Sequence, residues 1–208
     1  MNCLLCDTPS RFFAQQHNGL YYACPNCKGI FMSPDDFPKK AMEKARYEEH
    51  NNDVYDPRYQ KFVSPVVNAV LRDFSARHHG LDFGAGTGPV ISKMLKEKNY
   101  QIQQYDPFFW PATQALENTY DYIVCCEVIE HFQQPKKEFE FLRKLLKENG
   151  KLYCMTTIYH PGIDFKTWFY KNDPTHVFFY QKETLQFISY KLQLFSDVQI
   201  IRNLIVYK

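Results

Sequence analysis

From Gly80 onward the chain alternates between short apolar runs and longer amphipathic segments. The apolar runs predict strands near residues 80–84, 101–105, 120–126 and 151–157. Apolar positions at helical spacing predict helices near 88–98, 135–147 and 181–191, with a short one at 111–117. The last two runs predict a hairpin of strands 197–201 and 204–207. Strands and helices in alternation indicate an α/β fold with a parallel sheet and right-handed crossovers, which the antiparallel hairpin closes.

The chain before Gly80 divides into two segments of different character. The first carries four of the seven cysteines together with turn-forming proline, asparagine and glycine. The second predicts a charged helix over 39–50 and an amphipathic helix from about Pro57. Pro65 lies inside that second helix and should kink it or split it in two. We therefore expect three parts: a zinc ribbon (1–35), a helical linker packed on the main domain (36–78) and the main domain itself (79–208).

The overall composition is that of a folded globular protein, with 45% hydrophobic and 17% aromatic residues among 208. A net charge of +2 is too small to indicate a nucleic acid or a membrane surface as the partner. The N-terminus lacks the features of a secretory signal, and no apolar run approaches a membrane span. Seven cysteines without that signal favour metal binding or free thiols over disulfides. These features predict a soluble, cytoplasmic protein.

Three glycines mark the end of the first strand of the main domain. Gly84, Gly86 and Gly88 stand at alternate positions, so the backbone there can pass close to a ligand. Asp106 ends the next strand, where a carboxylate can hold a ribose diol. Asp82 lies two residues before the first glycine, where it would repel a pyrophosphate but would suit a cofactor with an ammonium group. The spacing therefore predicts a site for a nucleotide-type cofactor.

Residues 82–88 resemble motif I of the class I S-adenosylmethionine-dependent methyltransferases, and Asp106 resembles their acidic ribose ligand. Residues 121–131 are similar to the fourth-strand motif in its ubiquinone-biosynthesis-type form, and residues 145–152 look like the turn into the fifth strand. The alternative is a glycine turn in another α/β fold, but these segments occur together and in the family's order. The resemblance covers about residues 80–208.

The resemblance implies a Rossmann-like sheet, binding of S-adenosylmethionine and methyl transfer. Carried over position by position, the cofactor contacts fall on Asp82, Gly84, Ala85, Gly86, Gly88, Asp106 and Glu127.

One departure from the family pattern lies between Asp106 and Asp121. The 14 residues there are too few for the third strand that the family normally has, so we expect a sheet that is shortened at this edge. Phe108, Phe109 and Trp110 follow Asp106 almost directly. They form either an adenine-binding wall or a cap on the exposed sheet edge. The two roles are compatible for different rings, and Phe108 is our candidate for the cofactor contact.

Two C-x2-C pairs near the N-terminus form a second signal. Cys3 and Cys6 are separated by 17 residues from Cys24 and Cys27. Two such pairs can place four thiolates around one structural zinc ion, as in zinc ribbons. The set is complete without a water position, so catalysis at this zinc is not expected. The main alternative to a zinc site is that these four cysteines bind no metal or are oxidised to disulfides. Cys125, Cys126 and Cys154 fall in strands and are interpreted as core residues.

An aromatic segment over 158–180 follows the fifth strand, at the sheet edge where open α/β folds bind ligands. We expect it to form an aromatic lid for a flat or hydrophobic acceptor, although many of these rings could equally complete the core.

His176 and His131 are candidate general bases, because imidazole titrates near neutrality. In related families the position of His131 is often structural. Glu127 should face the cofactor or the acceptor, whereas Glu130 is expected to cap or pair on the following helix.

The leading hypothesis is methyl transfer to a small aromatic or hydrophobic acceptor. Known proteins that combine a four-cysteine module with this domain include methyltransferases of ribosomal RNA and sugar C-methyltransferases, so an rRNA or tRNA base remains an alternative acceptor. The low net charge argues mildly against RNA. A further alternative is a binding module with a degenerate methyltransferase fold. The oligomeric state does not follow from the sequence.

Overall fold

The computed structural model describes residues 1–50 and 52–208. The strands are β1 (Arg11–Gln16), β2 (Gly19–Ala23), β3 (Ile30–Met32), β4 (His79–Phe83), β5 (Gln101–Tyr105), β6 (Tyr120–Cys126), β7 (Leu146–Met155), β8 (Phe178–Phe179), β9 (Val198–Ile201) and β10 (Leu204–Tyr207). The α-helices are α1 (Lys40–Glu48), α2 (Pro57–Asp73), α3 (Val90–Lys96), α4 (Pro135–Leu145) and α5 (Lys182–Tyr190). Short 3-10 turns cover Thr113–Leu116, Ile129–His131 and Phe169–Asn172.

Six strands form the main sheet, in the order β5-β4-β6-β7-β10-β9. The first four are parallel, and the C-terminal hairpin adds β10 and β9 in antiparallel orientation. The predicted α/β fold with a C-terminal hairpin is therefore confirmed. The sheet ends at β5 within the described residues, as the short interval after Asp106 predicted. The helix expected over 111–117 is only the 3-10 turn.

Both faces of the main sheet are covered, because successive side chains of a strand point to opposite sides. On one face Tyr122 and Val124 pack in a core cluster with α2 and α3. On the other face Ile123 and Cys125 pack in a cluster with α4 and α5. Each fully buried aliphatic side chain in these layers stabilises the fold by about 1.5–3 kcal/mol relative to exposure. The sheet is thus held rigidly between two helical layers.

Pro65 does not divide α2, which runs as one helix from Pro57 to Asp73. A proline has no N–H, so the carbonyl of Lys61, four residues earlier, loses its helical partner. The hydroxyl of Ser64 donates to that carbonyl at 2.8 Å and replaces the missing bond. This local substitution allows α2 to pack on the sheet over its whole length.

A second, smaller sheet has the order β1-β2-β3-β8. Its fourth strand belongs to the aromatic segment, and Phe178 and Phe179 pair with Phe31 and Ile30 in antiparallel register. Residues 1–35 therefore share a sheet with residues that follow β7 in the chain. The aromatic rings that share this sheet's core cluster are Tyr21, Tyr159, Phe165, Trp168, Tyr170 and Phe179.

The expectation that segment 158–180 forms an aromatic lid is wrong for most of its rings. Its rings are largely buried against the N-terminal sheet, and Phe169 is an exception at 70% exposed. Of this segment, only Asp173 and His176 line the large cavity described below. The sequence could not separate the two roles, since the same apolar rings suit a core or a ligand pocket.

Within the described residues, no helix has the length and apolar character that crossing a membrane would require.

A partly buried ionic contact joins the C-terminal end of α2 to β7, and we expect it to contribute to stability. Asp73 accepts hydrogen bonds from Lys151 Nζ at 2.9 Å and from the hydroxyl of Tyr153 at 2.8 Å. Burial acts to raise the pKa of Asp73, but these bonds and that of Arg72 hold it well below its usual range. A carboxylate with a lowered pKa stabilises the fold above about pH 4 and loses this effect as the pH falls further.

We predict that Asp73→Asn lowers the free energy of unfolding by about 1–3 kcal/mol at pH 7. The difference from the wild type should shrink as the pH falls from 4 towards the lowered pKa. Urea unfolding between pH 7 and pH 3 measures both effects. Asp35→Asn, at an exposed position, is the control and should change little. A difference that stays constant with pH would contradict the ionic contribution.

Candidate active site

A cavity of about 900 Å³ opens at the carboxyl ends of β4, β5 and β6. The glycine loop after β4 forms one wall, and the turn after β6 forms another. Helix α1 covers the cavity from outside the sheet. Parallel strands of an open α/β sheet bring their terminal loops together at this edge, which is where such folds bind ligands.

The glycine loop owes its shape to two residues with left-handed backbone. Gly84 has φ +78° and Gly86 has φ +60°. The amides of Gly84 and Ala85 donate to the carbonyl of Tyr105 at 2.8 and 3.1 Å, which fixes the loop on β5. A Cβ on Gly84 would lie 2.5 Å from Cγ2 of Val128, whereas the nearest atom of the described residues to a Cβ on Gly86 would be Nδ2 of Asn52, at 4.0 Å. Gly86 therefore presents bare backbone towards open space.

Asp106 is the acidic group at the end of β5, as predicted, and it lines the cavity. Its Oδ2 accepts from the amide of Gly86 at 3.0 Å. Its Oδ1 accepts from the amides of Phe108 and Phe109 at 2.8 and 3.1 Å. The carboxylate thus connects the glycine loop to the turn after β5, and it stands where a ligand hydroxyl could approach both.

Asp82 and Gly88 are displaced from the cavity, unlike the other predicted cofactor positions. Asp82 is buried and accepts from the hydroxyl of Ser92 on α3 at 2.7 Å. Burial raises the pKa of Asp82 to about 6. Gly88 faces Asn52, whose carbonyl oxygen would lie 1.7 Å from an added Cβ. Neither residue lines the cavity. In this structure both residues support the conformation of the glycine loop and do not face the ligand space.

The three aromatic residues after Asp106 divide between two roles. Phe108 and Phe109 line the cavity. Trp110 does not; its indole donates to the carbonyl of Gly86 at 2.8 Å, and its side chain is 38% exposed. Phe108 also contacts the ring of Tyr47 on α1, with centroids 5.8 Å apart. Two rings therefore face the ligand space, while the third holds the glycine loop.

Glu127 ends β6 with an unusual backbone, φ +52°, which is uncommon for a residue other than glycine. It lines the cavity, and its Oε2 accepts from the hydroxyl of Tyr170 at 3.0 Å. Burial raises the pKa of Glu127 to about 7. Glu130 also contacts the hydroxyl of Tyr170. The expectation that Glu130 caps or pairs on the following helix is wrong, because it is fully buried beneath the cavity wall.

His131 and His176 lie side by side, with ring centroids 4.8 Å apart, and both line the cavity. Nδ1 of His131 lies 2.9 Å from the carbonyl of Thr175, and Nδ1 of His176 lies 2.7 Å from the carbonyl of Tyr170. A carbonyl only accepts, so each Nδ1 carries the hydrogen and each Nε2 keeps a free lone pair. Burial and the neighbouring His176 lower the pKa of His131 to about 3, and burial lowers that of His176.

Helix α1 contributes cavity residues that the sequence did not reveal. Tyr47 packs edge-on against His131 at 5.2 Å, and its hydroxyl donates to Glu43 at 2.9 Å. Arg46 donates to Asp173 at 3.0 Å and ties the helix to the aromatic segment. In sequence this helix is a charged stretch with few apolar positions. Its sequence therefore contains no pattern that predicts its position over the cavity.

The four N-terminal cysteines come together as predicted. The Sγ atoms of Cys3 and Cys27, and those of Cys6 and Cys24, lie 3.5 Å apart, and all four lie within 4.8 Å of one another. A tetrahedral zinc with bonds of about 2.3 Å places its sulfurs about 3.8 Å apart, which this cluster nearly matches. The contact between the thiols of Cys3 and Cys27 lowers the pKa of Cys3 and, together with burial, raises that of Cys27.

The two cysteine turns are alike in backbone as well as in spacing. The amides of Asp7 and Lys28 return to the carbonyls of Cys3 and Cys24 at 2.9 and 3.1 Å. Asp7 and Lys28 both adopt left-handed backbone, at φ 57° and 63°. The two similar turns bring the four thiols together at one point. Cys125 and Cys154 are fully buried in β6 and β7, which agrees with their interpretation as core residues.

The chain has the fold of the class I S-adenosylmethionine-dependent methyltransferases. Residues 47–188 match the family described as a methyltransferase domain, and the chain belongs to that family. Among proteins of curated function, none matches the chain in sequence.

Solved structures share the fold at low sequence identity. The phospholethanolamine N-methyltransferase 2 of Haemonchus contortus, bound to phosphomonomethylethanolamine and S-adenosylhomocysteine, is 16% identical with a TM-score of 0.56, over 77% of this chain and 43% of its own. A SAM-dependent methyltransferase from Archaeoglobus fulgidus is 21% identical with a TM-score of 0.51, over 67% and 71%. An O-methyltransferase family protein from Burkholderia thailandensis is 11% identical with a TM-score of 0.50, over 79% and 61%. The chain thus spans less than two thirds of two of these structures.

We predict that alanine substitutions at Gly84 and Gly86 distinguish the cost of backbone strain from the cost of a steric clash. Gly86→Ala should cost about 1–2 kcal/mol, because an L-residue is disfavoured in left-handed backbone but meets open space here. Gly84→Ala should cost more, because its Cβ also clashes with Val128. Adding Val128→Ala to Gly84→Ala should recover part of that excess. Thermal unfolding compares the three variants, and equal losses for the two single variants would contradict the steric argument.

Proposed function

We propose that the protein transfers a methyl group from S-adenosylmethionine to a small acceptor bound in the same cavity. The observation that carries this proposal is the meeting of the glycine loop and Asp106 at one wall with Glu127, His131 and His176 at the other. The first group suits a nucleoside with a ribose diol. The second offers carboxylate and imidazole groups to an acceptor that must lose a proton.

The cofactor would lie along the glycine loop. Gly84, Ala85 and Gly86 supply backbone, Asp106 would hold the ribose hydroxyls, and Phe108 would flank the adenine. Asp82 and Gly88 would act indirectly, by keeping the loop in shape. The Haemonchus contortus enzyme of the same fold was solved with S-adenosylhomocysteine, which supports this choice of cofactor.

The acceptor is proposed to be a small aromatic or hydrophobic molecule. The rings around the cavity, those of Tyr47, Tyr59, Phe62, Phe109 and Phe132, offer flat apolar surface. Glu127, His131 and His176 are our candidates for orienting the acceptor and handling its proton. Methyl transfer is an in-line displacement at the sulfonium, so the protein's main task is to align the acceptor with the methyl group and to exclude water.

The finer family placement and the setting are also proposals. Residues 121–131, in β6 and the turn after it, support the ubiquinone-biosynthesis-type subgroup. None of the seven cysteines is joined in a disulfide, which suits a reducing compartment, and we propose the cytoplasm. Cys3, Cys6, Cys24 and Cys27 are proposed to hold one structural zinc, on the geometry described above.

Calorimetric titration with S-adenosylhomocysteine tests the cofactor proposal. We expect saturable binding to the zinc-loaded protein and none for NAD as the control ligand. Asp106→Asn should weaken the binding by about tenfold or more, since it removes a charged acceptor of hydroxyl hydrogen bonds. Asp35→Asn, at an exposed position, is the matched control. A folded protein that binds no S-adenosylhomocysteine would refute the proposal.

Metal analysis tests the zinc proposal separately. Loaded with one equivalent of zinc and freed of excess metal, the protein should retain about one zinc ion per chain, and Cys24→Ser with Cys27→Ser should remove the ion held by the cysteine cluster. Loss of the metal should also lower the free energy of unfolding, because the small sheet shares β8 with the rest of the chain. Cys126→Ser is the control and should keep the zinc. Purification after growth with added zinc that yields a metal-free, equally stable protein would contradict the site.

A further inference from the structure

We infer that Glu130, His131 and His176 form a second metal site, for a divalent first-row transition cation, in the wall of the cavity. One ligand atom from each of the three lies within 4.8 Å of the others. The site is distinct from the four-cysteine cluster, and its existence does not depend on the proposed methyl transfer.

The backbone holds the three side chains together from two segments of the chain. Glu130 and His131 are neighbours in the 3-10 turn after β6. His176 comes from the aromatic segment, two residues before β8 begins. The amide of Val177 donates to the carbonyl of Glu130 at 2.9 Å and locks these segments to each other. The arrangement is therefore built into the fold and does not require a mobile loop to close.

Both imidazoles are oriented as metal ligands usually are. Each donates its Nδ1 hydrogen to a backbone carbonyl, that of Thr175 for His131 and that of Tyr170 for His176. This pattern fixes the tautomer and leaves each Nε2 lone pair available. Metal-binding histidines almost always have such a partner on the second nitrogen.

Glu130 supplies an independent observation. Its side chain is fully buried, and one oxygen contacts the hydroxyl of Tyr170. The other oxygen, Oε2, is buried without a hydrogen-bond partner among the described residues. Buried polar atoms are almost always satisfied, because leaving one unpaired costs about 1–3 kcal/mol. A cation bound between Glu130 and the two histidines would satisfy it.

The ligand set points to the kind of cation. Two imidazoles and one carboxylate suit manganese, iron, cobalt, nickel or zinc in the divalent state, whereas magnesium and calcium prefer oxygen ligands alone. Three protein ligands leave further coordination positions open. Because His131 and His176 line the cavity, these positions face the space proposed for the acceptor, where water or an acceptor oxygen could fill them. The histidines would then act as ligands and not as free bases.

Titration with Mn²⁺, followed by electron paramagnetic resonance, tests the inference on protein loaded with one equivalent of zinc, which the four thiolates hold in preference to the site at Glu130. Manganese does not favour thiolate ligands, so the four-cysteine cluster should not compete. We expect saturable binding that Glu130→Gln and His176→Ala each weaken by about tenfold or more. Glu130→Gln keeps the side-chain volume and an acceptor for Tyr170. Glu138→Gln, which removes another carboxylate from the cavity wall, is the matched control and should bind Mn²⁺ as the wild type does.

S-Adenosylhomocysteine binding by the same variants separates this inference from the proposed function. Variants that bind the cofactor normally and lose Mn²⁺ support the metal site, and their melting temperatures show that they are folded. Titration with Co²⁺, followed by visible absorption, repeats the test with a second cation. Failure of both cations to bind at millimolar concentration would overturn the inference. Unchanged affinity in Glu130→Gln and His176→Ala would do the same.

Discussion

The parallel pairing of β4 with β5 and β6 is the constraint on which the rest of this molecule depends. Leu81 of β4 lies opposite Gln103 of β5 and Ile123 of β6, so the three strands end at the same edge of the sheet. Asp106 and Glu127 follow two of those ends and the glycine loop follows the third. The cavity is the space that these endings enclose. Layers of buried aliphatic side chains on both faces keep the strands in this register, so the spacing of the polar groups is a property of the core.

A second connection runs from the cysteine-bearing sheet to the cavity wall. Met32 of β3 donates its amide to the carbonyl of Val177, and Val177 donates its own amide to the carbonyl of Glu130, both at 2.9 Å. His176 is the neighbour of Val177. The module with four cysteines is therefore not an independent appendage. Its fourth strand carries the chain that places His176 and Tyr170 against the turn after β6, so a metal that orders the module would also order one wall of the cavity.

The cavity wall itself concentrates groups that a stable core normally avoids. Glu127 has left-handed backbone, one oxygen of the buried Glu130 has no partner among residues 1–50 and 52–208, and the imidazoles of His131 and His176 are in contact. Strain and unsatisfied polar atoms cost stability, and they persist only where the surrounding packing determines the conformation. Here the surrounding packing is the aromatic segment, whose rings are buried against β2 and β3. The same segment of chain thus supplies the aromatic core of the small sheet and supports the polar wall of the cavity.

The sequence by itself determined the features that arise from local pattern. Apolar periodicity located the strands and most of the helices, the positions of Gly84 and Asp106 indicated the cofactor wall, and the spacing of the cysteines indicated their cluster. Tertiary structure alone decided which apolar rings face a ligand and which face a core, since both environments select the same side chains. It also placed α1 over the cavity and brought Glu130 to His176, which is 46 residues away in the chain. Such contacts depend on how β3 pairs with β8, and strand pairing between distant segments leaves no periodic signal in either one.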